Sequence, residues 1–213
     1  MIKGYNMVEW QTSEKLNLSS HQEAQRYFKQ FIQQIPERLK ILREILQSTG
    51  YDSKKLDYSP ESLIYLGEWF AKHIAMRKMT KEEIRLFKQK YSETIKKGGL
   101  EIPLKEIVKV PKKILTEETE SLGHDVGIYF AQVLQKNMKG LDWNVVLKPK
   151  NNVYYHQPVL EGFGGSQFHP RSILGTLALR IIEHKQPSSI LKKTYDNWAP
   201  HEIVECQKMM KRG

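Results

Sequence analysis

Helix punctuation constrains this chain more than any other feature. Ser20-His21-Gln22-Glu23 is a capping box: a hydroxyl at the cap, and three residues on a carboxylate that can reach back to the cap amide. Ser59-Pro60-Glu61 offers a cap, a proline suited to a first helical position and a first-turn carboxylate. Thr80-Lys81-Glu82-Glu83 is another capping box, and Thr116 opens a further helix through about Met138. Stops follow at Thr49-Gly50, Gly98-Gly99 and Gly140. Between these marks apolar residues recur at helical spacing. They are Tyr27, Phe28, Phe31, Ile32 and Ile35, then Leu39, Leu42, Ile45 and Leu46. Next come Leu63, Leu66, Trp69, Phe70 and Ile74, then Ile84, Phe87, Tyr91 and Ile95. Pro36 either kinks the first helix or starts a second.

Later in the chain the period changes. Trp143–Leu147 reads as a strand, Val153–His156 as its partner across a turn near Asn151-Asn152, and Val159–Phe163 as a third short strand. Pro170 starts a helix through about Glu183, and two short helices follow, divided by Ala199-Pro200. The expected fold is α+β and predominantly helical, with about seven helices and a two- to three-stranded antiparallel sheet in the second half. A chain of 25.0 kDa can form one globular unit over residues 1–213. Possible halves are 1–100, helical, and 116–213, α+β, joined by an extended connection over 101–115.

Composition narrows the class. An aromatic content of 10% excludes low-complexity disorder, and no apolar run approaches a membrane span. The N-terminus lacks a signal-peptide core, so a cytoplasmic location is expected. A single cysteine, Cys206, excludes an internal disulfide framework and a cysteine-based zinc site. The net charge of +10 is uneven: residues 1–115 hold 22 Lys and Arg against 14 Asp and Glu, and residues 116–213 hold 12 against 10. That balance points to an acidic partner, with a protein first and nucleic acid second, or to solvated helix faces. Arg77, Lys81, Arg85 and Lys88 would form one basic stripe if the helix from Thr80 extended back a turn.

Two segments echo each other. Glu61-Ser62-Leu63 precedes Gly67-Glu68-Trp69-Phe70-Ala71, and Glu120-Ser121-Leu122 precedes Gly127-Ile128-Tyr129-Phe130-Ala131, with one residue inserted. A mid-helix glycine before an aromatic pair implies close helix–helix approach. The blocks Leu56–Leu63 with Trp69-Phe70, and Asp125–Phe130 with Leu141-Asp142-Trp143 and Gln157–Leu160, resemble a family of uncharacterised bacterial proteins, chiefly of Bacillus-like Firmicutes. The resemblance spans about residues 25–182 and implies no activity. Related-looking patterns occur in proteins suspected of neutralising bacterial toxins. Many such sequences carry a glutamate where this chain has Ala131 or a close neighbour.

Candidate chemistry is sparse. The seven histidines (His21, His73, His124, His156, His169, His184 and His201) show no metal-ligand spacing, and neither a metal nor a cofactor is expected. His156 and His169 flank Gly162-Phe163-Gly164-Gly165-Ser166, which lies between a strand and the helix from Pro170, and are expected to converge there as candidate ligand-binding residues. Gly164 and Gly165, with His169 and Arg171, make a candidate site for a phosphate or small ligand at a helix N-terminus. Neither the dinucleotide nor the P-loop glycine spacing is present. Cys206 lies five residues from His201, beyond the neighbour that would share its helix face. Trp10 and Trp198 are the tryptophans least tied to an apolar pattern, and if exposed either could anchor a partner. The expected function is a non-enzymatic protein-binding module. A nucleic-acid binder and a ligand-binding domain or enzyme at residues 156–171 are the alternatives.

Overall fold

The computed structural model describes residues 2–8, 16, 19–97, 110–184 and 189–199. Among them lie six α-helices and two small antiparallel sheets. In chain order these are α1 (His21–Ser48), α2 (Ser62–His73), β1 (Met76–Lys78), α3 (Lys81–Lys97), β2 (Lys113–Leu115), α4 (Glu117–Asn137), β3 (Asp142–Val145), β4 (Pro158–Phe163), β5 (Ser166–Phe168), α5 (Pro170–His184) and α6 (Ile190–Trp198). The expected helical α+β class is observed. Residues 98–109 and everything from Pro200 on, where the sequence predicts a second C-terminal helix, lie outside the described residues.

The capping signals work as their chemistry requires. Ser20 Oγ accepts from Glu23 N at 3.2 Å, and Glu23 accepts from Ser20 N at 2.7 Å. Pro36 neither kinks nor divides α1, which runs unbroken for 28 residues. Its ring lies on the exposed side, where water can satisfy the carbonyl one turn back that proline leaves unbonded. Helix α2 starts after Glu61, later than Pro60, because Ser59–Glu61 form a tight turn with Ser62 N donating to Ser59 O at 3.1 Å.

The sheet departs from the expected register. Residues 153–156 are turns, and β3 pairs instead with β4, Trp143 opposite Leu160. Tyr155 N donates to Asn152 O at 3.0 Å, and His156 adopts φ 61°, which no strand residue can hold. The three strands run in the order β3-β4-β5. A second sheet, unexpected from the sequence, pairs β1 with β2, Arg77 opposite Ile114.

Helix α4 is the centre of the packing. From Thr119 to Leu134 every residue except Glu120 and Gln132 is buried. One apolar cluster joins Leu42 and Leu46 of α1, Leu66, Trp69 and Phe70 of α2, and Val126, Tyr129 and Phe130 of α4 to Phe163, Phe168, Leu174 and Leu191. Residues from both proposed halves therefore share this cluster. The two motif blocks meet here. Tyr58 and Tyr129 stack at 5.1 Å, Tyr58 N donates to Tyr129 Oη at 2.9 Å, and Ser62 Oγ lies 2.7 Å from that oxygen.

Gly127 shows the close approach its place in the echo implied. A Cβ there would fall 2.7 Å from Pro170 Cβ and 3.0 Å from its Cα. Gly127→Ala should therefore destabilise by about 1–3 kcal/mol, although alanine is the better helix former. Thermal denaturation checks this. An unchanged or raised melting temperature would mean that α5 can slide away from α4 at no cost.

Candidate functional site

The basic stripe is built differently from its sequence spacing. Helix α3 starts at Lys81, so Arg77 lies on β1 and not on the helix. Its guanidinium reaches back to Glu83, with Nη1 at 2.8 Å and Nη2 at 2.6 Å from the two carboxylate oxygens. Glu83 also accepts from Thr80 N at 2.7 Å, and these bonds, Arg77's first, hold its carboxyl down at about 2. Arg85 pairs with Glu82 at 2.6 Å on the exposed face. Lys81 and Lys88 are exposed. Arg77 thus braces α3 against the β1–β2 ribbon, and the exposed lysines carry the face.

That ribbon marks a boundary the sequence hid. Thr116 N donates to Ala75 O at 3.1 Å, so the chain leaves and re-enters the body at one place. Residues 76–115, between these points, contain twelve Lys and Arg against five Asp and Glu. They hold +7 of the net +10. Among the described residues, α3 makes no extensive packing against any other element. Ile84 and Phe87 are half-buried and Leu86 is 49% exposed, so the helix presents apolar and basic surface together.

The glycine-rich segment is a β-hairpin turn. Gly164 and Gly165, at φ 64° and 99°, link β4 to β5, with Phe163 opposite Ser166. Strand β5 and His169 separate these glycines from α5, so their amides are not at its N-terminus. His156 does not join His169. Its Nδ1 lies 2.9 Å from Leu16 O and 3.1 Å from Ser19 Oγ, its ring stacks on Tyr155, and His21 meets it edge-on at 5.2 Å. Among the described residues the buried Nε2 of His156 has no hydrogen-bond partner.

His169 and Arg171 do converge, with a residue not foreseen. His124, His169, Arg171, Gln157 and Tyr27 line a small cavity between α1, α4 and the start of α5. Burial, then the Arg38, His169 and Arg171 charges, push His124 down to about 3. Burial and then Arg171 push His169 down to about 4. Arg171 pairs with Glu120 at 3.2 Å.

Beside this cavity runs a buried polar network that sequence reading missed. Arg38 Nε donates to Asp125 Oδ1 at 2.7 Å, and Nη2 makes the second contact of the pair with Oδ2. Tyr5 Oη donates to Asp125 Oδ2 at 2.7 Å and lies 2.7 Å from Ser121 Oγ. Val8 N donates to Ser121 Oγ at 2.8 Å, and Arg38 Nη1 donates to Asn6 O at 2.9 Å. Burial pushes the Asp125 carboxyl up, against the pull of Arg38 and Tyr5. Residues 2–8 are thereby strapped over a buried ion pair. A signal for this existed: apolar residues from Leu122 to Leu134 surround α4, so Ser121, His124 and Asp125 had to be buried too.

Trp198 packs edge-on against Phe163 at 4.6 Å and is half-buried, a packing position and not a free anchor. Trp10, His201, Cys206 and the His184 side chain lie outside the described residues. Among the described residues no three His, Cys, Asp or Glu side chains gather to hold a metal, and no helix is long and apolar enough to cross a membrane. No protein-family model, curated protein or solved structure matches the chain.

Proposed function

We propose that this chain is a non-enzymatic binding module whose basic lobe, residues 76–115, docks an acidic protein partner. The carrying observation is the segregation of charge. A segment whose two ends meet at Ala75 and Thr116 holds +7 of the net +10. Opposite charge steers encounter, and half-exposed apolar side chains on the same helix supply surface to bury. Ile84, Leu86 and Phe87 beside Lys81 and Lys88 offer a protein partner apolar surface to bury, which contact with duplex phosphates alone would leave unused. The setting that fits the sequence is a bacterial cytoplasm, with an immunity-type role.

The test is charge reversal that leaves the internal pairs intact. Lys81→Glu with Lys88→Glu should cut capture of an acidic partner from the host lysate by at least roughly tenfold. Lys193→Glu, on α6, should leave capture unchanged. Equal capture by all three proteins rejects the lobe as the docking surface. Submicromolar duplex or RNA affinity that collapses with salt would put the nucleic-acid reading in its place.

A further inference from the structure

We infer that residues 2–8 are the resident occupant of a docking groove for a partner's extended, tyrosine-bearing segment, which must displace them to bind. The floor of that groove is built without them. Arg38 Nε and Nη2 engage Asp125, and Ser121 lies one helical turn before Asp125 on α4. All three stay in place when residues 2–8 leave.

The contacts residues 2–8 make with this region are ones another chain can repeat. Ile2 N donates to both carboxylate oxygens of Glu118, at 3.2 and 3.1 Å. Asn6 O accepts from Arg38 Nη1, and Val8 N donates to Ser121 Oγ. These are main-chain groups, which every extended segment carries. The exception is Tyr5. Its hydroxyl donates to Asp125 Oδ2, accepts from Arg38 Nη2 at 3.3 Å and lies beside Ser121 Oγ. A hydroxyl given to a carboxylate makes a charge-assisted bond, so a phenol is what the floor selects.

Residues 2–8 also fill their groove poorly. A cleft of about 280 Å³ lies between Lys3, Tyr5 and Asn6 on one side and Glu37, Ile41 and Ser48 of α1 on the other. Another of about 440 Å³ is bounded by Ile2, Lys3, Thr49 and His73. A Cβ at Gly4 would meet nothing within 4 Å. Lys3, Gly4, Asn6 and Met7 are exposed, and Ile2, Tyr5 and Val8 are only half-buried. A segment with so little buried surface opens at low cost, and a competitor with larger side chains beside its tyrosine gains contacts that this one lacks.

A fluorescent peptide with the sequence of residues 1–8, titrated into the full chain, tests this. Tyr5→Phe in the protein loosens the resident segment by one hydroxyl and leaves the floor untouched. Because a groove that is more often vacant binds more tightly, this variant should hold the peptide at least about tenfold better than the wild type. The peptide with phenylalanine in place of its tyrosine should bind that variant at least about tenfold more weakly. In the wild-type chain, added peptide should speed hydrogen exchange at the Val8 amide at least about tenfold, with the core amides of α4 unchanged. That measurement decides the question alone if Tyr5→Phe does not fold. Peptide binding no tighter to Tyr5→Phe, or a Val8 amide that exchanges only together with the α4 core, overturns the groove. Equal binding of the two peptides overturns the tyrosine assignment. A wild-type dimer that Tyr5→Phe dissociates in sedimentation would put a second copy's residues 2–8 in the groove and overturn the assignment to a separate partner.

Discussion

Arg38→Ala should be among the most damaging substitutions in the chain, costing about 3–5 kcal/mol. It leaves Asp125, 1% exposed, without its counter-charge at the centre of α4. It also removes the donor to Asn6 O and so loosens the strap formed by residues 2–8. Asp125→Ala should cost a similar amount, since it strands the guanidinium. The paired change Arg38→Met with Asp125→Leu removes both charges and should recover most of the loss, because an apolar pair of similar volume needs no desolvation. Urea unfolding of the four proteins checks this. If the double variant is as unstable as the sum of the singles, the network's other members, Tyr5 and Ser121, are what the fold depends on.

The second large effect is acid destabilisation. His124 and His169 have native pKa values of about 3 and about 4, against an ordinary 6.5. Between those values and 6.5 the unfolded chain binds protons that the native state refuses, so stability rises with pH in that window and falls as the solution is acidified. From neutral pH to pH 5 each histidine should cost about 2 kcal/mol. Glu83, held at about 2, loses its contribution only below the usual carboxylate range. Asp125 works in the opposite sense, its carboxyl pushed up by burial, so the histidine contribution is read by difference. His169→Asn and His124→Gln should each flatten the slope of urea midpoint against pH. A slope that neither variant changes would place the acid-sensitive groups elsewhere.

What could be read from the sequence was local. Ser20 and Glu23 lie three residues apart, and their capping box is visible as letters before it is visible as bonds. Partners far apart left no such trace. Arg38 and Asp125 are separated by 87 residues, and β1 meets β2 only after the whole of α3 has intervened. Arg77 illustrates the failure well. Its spacing from Lys81 fits a helix face, but pairing with Ile114 puts it on a strand and turns its charge inward to Glu83. Tyr154 and Tyr155 have strong strand propensity, yet the turn at Asn152 and the left-handed His156 override it. Of the residues lining the small cavity, His169 and Arg171 were recognisable from their place at a helix start. His124 looked like a core-helix bystander, because nothing local says which side of α4 faces α1.

The meeting of Ala75 and Thr116 has a consequence for how such a chain can change over generations. A segment whose two ends already touch can lengthen, shorten or exchange its charges without re-routing the rest of the chain. In the proposed docking role, recognition can then diversify on residues 76–115 while selection for a folded core acts separately on α4 and its neighbours. Two copies of this architecture could share every buried residue and still prefer opposite partners.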